Sequence, residues 1–274
     1  MAKRSKYVKP SRREFLRAEV LASRQLSPHF VRVTVGGPQL ARFQPMGYDQ
    51  WFRLFLPNGR GVLRAPSNSQ TWVAQYMLES LKSRENRPVG RNYTVRDFRQ
   101  PGRGVHGEGA ELDIDFALHQ DAEGHMGPAT RWATTARPGD PLVLYDEGIT
   151  YQPTPDARWQ LLVGDETALP AIAGVIGSAG EELRAEVFVE IPHPEDAQKL
   201  ELPEGVRLNW LPRRDGSEPT GTLALRAVRQ AELPEGPGYA FLAGAQSMVS
   251  GLRRHLVDDR GLAKEAITFT GYWR

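Results

Sequence analysis

The rhythm of the apolar residues changes once along this chain, and the change falls at Tyr151-Gln152-Pro153-Thr154-Pro155-Asp156-Ala157-Arg158. Ahead of that stretch, short runs at 15–22, 29–35, 50–57, 92–98, 111–119 and 141–145 carry β-branched and aromatic residues, with Gly, Pro and Asn clustered between them. Such runs are strands with one buried face, and six in succession predict a closed antiparallel β-barrel. Two helical spacings interrupt them, at 71–82 and at 127–136, the second opening on Pro128 and obliged to stop before Pro138.

Past the two prolines the pattern becomes strand, helix, strand, helix. Strands are predicted at 159–165, 185–191, 206–211, 238–244 and 266–273, and helices at 167–178, 222–232 and 246–259, with a shorter one near 195–200. Continuous apolar strands such as Leu161-Leu162-Val163, set between amphipathic helices, belong to a parallel sheet covered on both faces. The expected organisation is a barrel domain over 1–150, a linker over 151–158 and a doubly wound α/β domain over 159–274.

Composition removes several kinds of chemistry. The 274 residues include no Cys, which excludes disulfides, thiolate metal sites and a Cys nucleophile. Redox work, if any, falls to a bound organic cofactor or to a metal held by N and O ligands. Thirty-five Lys and Arg against 33 Asp and Glu leave a formal charge of only +2. The basic residues Lys3, Arg4, Lys6, Lys9, Arg12 and Arg13 therefore read as a frayed, solvated arm, and no nucleic-acid partner is expected. No apolar stretch approaches the ~20 residues of a membrane span and no secretory leader is visible, so a cytoplasmic location is expected.

Several motifs carry chemistry. Gly102-Arg103-Gly104-Val105-His106-Gly107 matches a dinucleotide fingerprint literally, but it precedes a strand and reads as a hairpin loop. In Arg91-Asn92-Tyr93-Thr94-Val95-Arg96 a strand offers a guanidinium for a diphosphate, a ring for a flat heterocycle and a hydroxyl for a ring nitrogen. Arg and Tyr are equally common on exposed strand faces. His119 follows the next predicted strand, and Gly127-Pro128-Ala129-Thr130-Arg131-Trp132-Ala133 starts a helix whose free amides suit a pyrophosphate. Gly164-Asp165-Glu166-Thr167-Ala168-Leu169-Pro170-Ala171 and Ala243-Gly244-Ala245-Gln246-Ser247-Met248 both lie where a doubly wound sheet receives a nucleotide. His119 and His125 with Asp121 and Glu123 read as a polar loop, and no metal site is expected.

In this order, together with the terminal Gly271-Tyr272-Trp273-Arg274, these segments resemble the siderophore-interacting protein family of flavin-dependent ferric-siderophore reductases. The likeness spans nearly the whole chain after Phe15. It implies a ferredoxin-reductase-like pair of domains, the barrel holding FAD and the α/β domain taking NAD(P)H or receiving electrons from a ferredoxin. Carried across, Arg91 pairs with FAD phosphate, Tyr93 lies against the isoalloxazine and Thr94 approaches its N5 region. His119 lines the cofactor, Gly127, Ala129 and Thr130 cradle the pyrophosphate, and Gly164, Asp165 and Thr167 belong to the nucleotide site. Basic residues beside the flavin would receive an anionic ferric siderophore: Arg53 first, then Arg131 and Arg274. The chain is expected to act as a monomer. A flavin reductase with a non-iron acceptor and a non-catalytic siderophore carrier are the alternatives. One departure stands out. Where the family often has a glycine-rich turn after the barrel, this chain reads Tyr145-Asp146-Glu147-Gly148-Ile149.

Overall fold

The computed structural model describes residues 6–58, 60–66, 71–81, 88–119, 124–213 and 218–274. Lys3, Arg4, Lys82, Asp121 and Glu123 lie outside the described residues.

The N-terminal half is a seven-stranded antiparallel sheet of strands β1 (Phe15–Ser27), β2 (Phe30–Gly36), β3 (Trp51–Leu56), β4 (Val89–Thr94), β5 (Asp97–Arg99), β6 (Glu111–Ala117) and β7 (Pro141–Gly148). They pair in the order β4-β3-β7-β1-β2-β6-β5. The run predicted as one strand over 92–98 is in fact two, at opposite ends of that order. Between them the Val95 amide donates to the Gln50 carbonyl and the Arg96 amide to that of Asp113. The chain thereby steps from β3 to β6, which brings the two ends of the strand order together and gives the sheet its barrel-like form. Alternate residues such as Phe52, Leu54, Leu112, Ile114, Phe116, Leu142 and Leu144 fill its interior.

Helix α1 (Trp72–Ser80) covers the outside of the barrel, where Trp72 and Tyr76 meet Phe55 and Trp72 also meets Tyr145. Helix α2 (Pro128–Thr135) packs on β6, with Trp132 against Phe116. The glycine-rich segment at 102–107 is the loop joining β5 to its antiparallel partner β6. Glu111 closes it by accepting from the Val105 and His106 amides.

The C-terminal half is a five-stranded parallel sheet of β8 (Trp159–Gly164), β9 (Ala185–Ile191), β10 (Val206–Pro212), β11 (Gly238–Ala245) and β12 (Ile267–Trp273), ordered β10-β9-β8-β11-β12. Helix α3 (Leu169–Ser178) covers one face, where Leu162, Val187 and Phe241 point, and α4 (Thr222–Gln230) and α5 (Gln246–Asp258) cover the other, with Leu161, Val163 and Leu242. Strand order reverses between β8 and β11, and open sheets of this kind take ligands at the carboxyl edge beside such a reversal.

Two expectations fail. The helix predicted near 195–200 is only a 3-10 turn, Pro194–Asp196, because Asp196 turns its carboxylate back onto the His193 amide. The N-terminal arm from Lys6 onward is not frayed. Val8 forms an antiparallel bridge with Ile149, through bonds of 2.9 and 3.0 Å.

The halves share a core. Phe30 of β2 is fully buried in the cluster built on α3, and Tyr151 stacks on Tyr48 at 5.2 Å and meets Tyr239 edge-on. Polar joints reinforce it. Buried Asp49 accepts from the Thr150 and Tyr151 amides and the Thr150 hydroxyl, and Asp196 from Ser27 Oγ, the His29 amide and His29 Nδ1.

Candidate functional site

Strand β4 decides where the predicted cofactor residues stand. Its antiparallel register sets Tyr93 opposite Phe52 and Thr94 opposite Trp51. Side chains alternate along a strand, so Arg91 and Tyr93 share one face and Asn92 and Thr94 the other. Tyr93 packs on Phe116 at 4.3 Å between ring centroids, and Phe116 on Trp132 at 5.8 Å, so three rings tie β4 to the first turns of α2. Burial raises the Tyr93 phenol above its ordinary pKa, so this ring stays neutral and presents an uncharged surface.

Arg91 is exposed, and its guanidinium bonds the Gly90 carbonyl next to it. Gly127 caps α2 without any side-chain hydrogen bond, no acidic residue stands in its first turn, and a Cβ there would meet nothing within 4 Å among the described residues. Ala129 and Thr130 are buried and Arg131 is exposed. This end of the barrel thus has uncapped amides at the start of α2 and the exposed guanidinium of Arg91 on β4, a donor set that fits a diphosphate.

The opposite face of β4 is aromatic and basic. Arg53, opposite Asn92, lies 4.8 Å from the Trp72 ring centre and 5.7 Å from that of Trp51, and pairs with Glu147 at 2.9 Å. Trp51 stands between Thr94 on β4 and Gly148 on β7.

Thr94 also lies beside the phenol of Tyr272. The Tyr272 ring keeps an exposed flank, but its hydroxyl end is desolvated. That loss of water, with Asp49 and Asp165 nearby, raises its pKa far above the ordinary tyrosine value. The end of β12 therefore reaches across to the barrel beside the strand that carries Arg91 and Tyr93.

At the carboxyl edge of the parallel sheet the predicted residues are wired to one another. Asp165 is fully buried. One of its oxygens takes the Thr167 amide and hydroxyl, the other the Ala245 amide at 2.6 Å and Trp273 Nε1 at 3.2 Å. It splices the ends of β8, β11 and β12. A methyl group on Gly164 would strike Ala168 and Ile172, so glycine here lets the helical turn sit against the strand. His119 stands at this junction, 6.2 Å from the Trp273 ring and 3.7 Å from Glu166. Burial lowers its imidazole pKa, against the pull of Asp165. Arg274 follows β12 and is exposed.

Sequence reasoning missed the ion cluster beneath this edge. Arg213 bonds both oxygens of Glu166 and one of Glu190, and Glu190 also accepts from the amides of Gly221 and Ala224 at the start of α4. Burial and the neighbouring Glu166 push Asp165 up to about 6. Also unforeseen was Glu147, which gathers Lys9, Arg13 and Arg53 on one buried carboxylate. Its place in the departing segment after Tyr145 was the available signal.

Beside it, burial pushes Asp146 up from the ordinary 3.8 to about 6. The native carboxyl holds its proton more tightly than the unfolded chain does. Its contribution to stability is therefore complete below about pH 4 and lost as pH rises through 6. Asp146→Asn should accordingly gain on the natural protein by about 2–3 kcal/mol between pH 4 and 7. Urea unfolding of both proteins at the two pH values checks this, and a constant difference would refute it.

Family comparison bears directly on this arrangement. A model of the siderophore-interacting FAD-binding domain matches residues 19–150, and one of the siderophore-interacting protein matches residues 157–274. The chain belongs to the siderophore-interacting protein family. Its barrel half is the family's FAD-binding domain. The ferric vibriobactin reductase ViuB of Vibrio cholerae is 29% identical over 259 residues, which cover 93% of this chain and 88% of the relative. The crystal structure of a siderophore utilization protein from T. fusca superposes with a TM-score of 0.79 at 31% identity, covering 98% of this chain and 95% of that one. A ferredoxin reductase of carbazole 1,9a-dioxygenase shares the fold alone, with a TM-score of 0.65 at 17% identity over 99% of this chain and 73% of its own. No helix among the described residues is long and apolar enough to cross a membrane, and no three His, Asp or Glu side chains among them gather as a metal site would require.

Proposed function

We propose that this chain is an FAD-dependent reductase of ferric siderophores that acts in the cytoplasm as a monomer. NAD(P)H or a reduced ferredoxin supplies the electrons. One observation carries the reading: β4 offers a diphosphate-binding side through Arg91 and α2, and an aromatic, cationic side through Thr94, Trp51 and Arg53. A single strand thus stands between cofactor tail and substrate.

In this reading Arg91 holds the diphosphate together with the amides of Gly127, Ala129 and Thr130, Tyr93 gives the flavin a flat apolar neighbour, and Thr94 offers its hydroxyl to the ring edge. FAD, when bound, would supply the chemistry, since it can accept an electron pair from a nicotinamide or single electrons from a ferredoxin and can pass electrons on singly. Gly164, Asp165 and Thr167 shape the turn against which the donor docks, with His119 beside them. Arg53, and more distantly Arg131 and Arg274, draw in the chelate. Residues 1–150 form the cofactor domain, 151–158 the connection and 159–274 the donor-facing domain.

The reaction suits a site without an acid–base pair. Hard oxygen donors hold Fe(III) far more firmly than Fe(II), so one added electron loosens the chelate. The relationship to a ferric vibriobactin reductase supports the substrate class.

Anaerobic titration of the yellow protein tests this. NADH, NADPH and reduced ferredoxin are added in turn, followed by a ferric chelate. Bleaching by one donor and return of colour with the chelate are expected. Faster return with free flavin or a quinone would assign another acceptor, and chelate binding without return of colour would make the chain a carrier.

A further inference from the structure

The N-terminal arm reaches both halves of the molecule. Lys9 Nζ lies 4.7 Å from the Tyr7 ring and 5.7 Å from the Trp51 ring, and Tyr7 packs on Trp51 at 6.2 Å. One residue back, Lys6 lies 5.5 Å from Tyr7 and 5.8 Å from Phe269 on β12. Arg253 of α5 stacks on the other flank of this group, 4.9 Å from Phe269. Trp51 Nε1 and Arg253 Nε are buried donors with no hydrogen-bond partner among the described residues, an expensive state for a group that a ligand oxygen can satisfy.

What docks the arm is the segment that follows Tyr145. Glu147 binds Lys9, Ile149 forms the bridge to Val8, and Gly148 (φ 84°) leaves room for the Val8 carbonyl, which a Cβ there would strike. Arm and segment are one device.

Charge defines what it can hold. Lys6, Lys9, Arg13, Arg53 and Arg253 outnumber Glu147, which pairs with three of them, and Asp146, which gives up its proton only as pH rises through about 6. A ferric tris-catecholate is a trianion with aromatic rings at its surface, whereas a ferric tris-hydroxamate is neutral and largely aliphatic. Interleaved cations and rings complement the first and gain little from the second.

We propose that the docked arm, through Lys6, Tyr7 and Lys9, forms a wall of the chelate site and selects anionic aryl chelates, of the catecholate type, over neutral hydroxamates. This rests on the ferric-siderophore reading above, and its test is made separable from that reading.

Ga(III) has the charge and nearly the size of Fe(III) but no accessible reduced state, so its chelates report binding without turnover. Calorimetry on the FAD-loaded protein would compare Ga(III) tris-catecholate with Ga(III) tris-hydroxamate. The expected loss is roughly fivefold to tenfold in affinity per lysine for the trianion in Lys6→Gln/Lys9→Gln, and less than twofold for the neutral complex. Raising the salt should erode the trianion's advantage in the natural protein. Gly148→Ala keeps every charge but displaces the arm, and should show the same selective loss. Equal losses for both chelates, no loss for either, or no preference in the natural protein would overturn the proposal. Tight binding of the gallium trianion without flavin reoxidation by its iron counterpart would instead refute the reductase reading and leave the arm's role standing.

Discussion

Arg91→Ala should fold as the natural protein does and fail to retain FAD. The guanidinium is exposed and bonds only the adjoining Gly90 carbonyl among the contacts of the described residues, so its removal costs the apoprotein no more than about 0.5 kcal/mol. A charge-assisted hydrogen bond to a diphosphate is worth about 1.5–3 kcal/mol, equivalent to roughly a tenfold to hundredfold weaker complex. Gel filtration of the variant should therefore give a pale protein with unchanged melting, and fluorescence titration with FAD should give the weakened affinity. Arg91→Lys should recover part of the loss, keeping the charge but not the two-pronged geometry. Full colour in Arg91→Ala would remove Arg91 from the cofactor site.

Arg213→Met should do the reverse, damaging the fold first. The side chain is buried between Glu166 and Glu190, and its loss leaves two carboxylates in the interior with no other Lys or Arg paired to them among the described residues. Breaking a buried pair in this way costs about 3–5 kcal/mol, on the order of 10 °C in melting temperature for a chain of this size. Glu190 retains the two amides at the start of α4, so most of the damage should trace to Glu166. Adding Glu166→Gln to Arg213→Met should then restore a large share of the stability. If the double variant melts no higher than the single one, the penalty comes from lost packing and not from stranded charge.

These variants probe features of unequal legibility. The strands were readable because each has one apolar face or lies in a fully covered sheet, and Phe52, Leu54 and Leu161-Leu162-Val163 declare that pattern locally. The step at Val95 and Arg96 was not. Both residues suit a strand, and only their long-range partners Gln50 and Asp113 reveal that one run serves two strands. The motif on β4 was legible as a set of groups, but the sharing-out of Arg91 and Tyr93 to one side and Thr94 to the other gained meaning only once Trp51 and Tyr272 were placed.

Charge was the least legible. Glu166, Glu190 and Arg213 meet across 47 positions of sequence, and no spacing rule joins them. The basic arm was misread for a related reason. Its lysines resemble a solvated tail until Glu147, 138 positions from Lys9, is brought beneath them.

The joint at Asp196 bears on how electrons travel. Two-lobed proteins ordinarily swing about their connector. Here one carboxylate fastens Ser27 and His29 of the barrel to the turn after β9, while Tyr48 and Tyr151 lock the opposite side. Such bracing leaves little play, so the gap an electron must cross is set at folding and is not adjusted at each turnover. In the proposed reaction a donor would then meet the cofactor at a geometry that folding has already set.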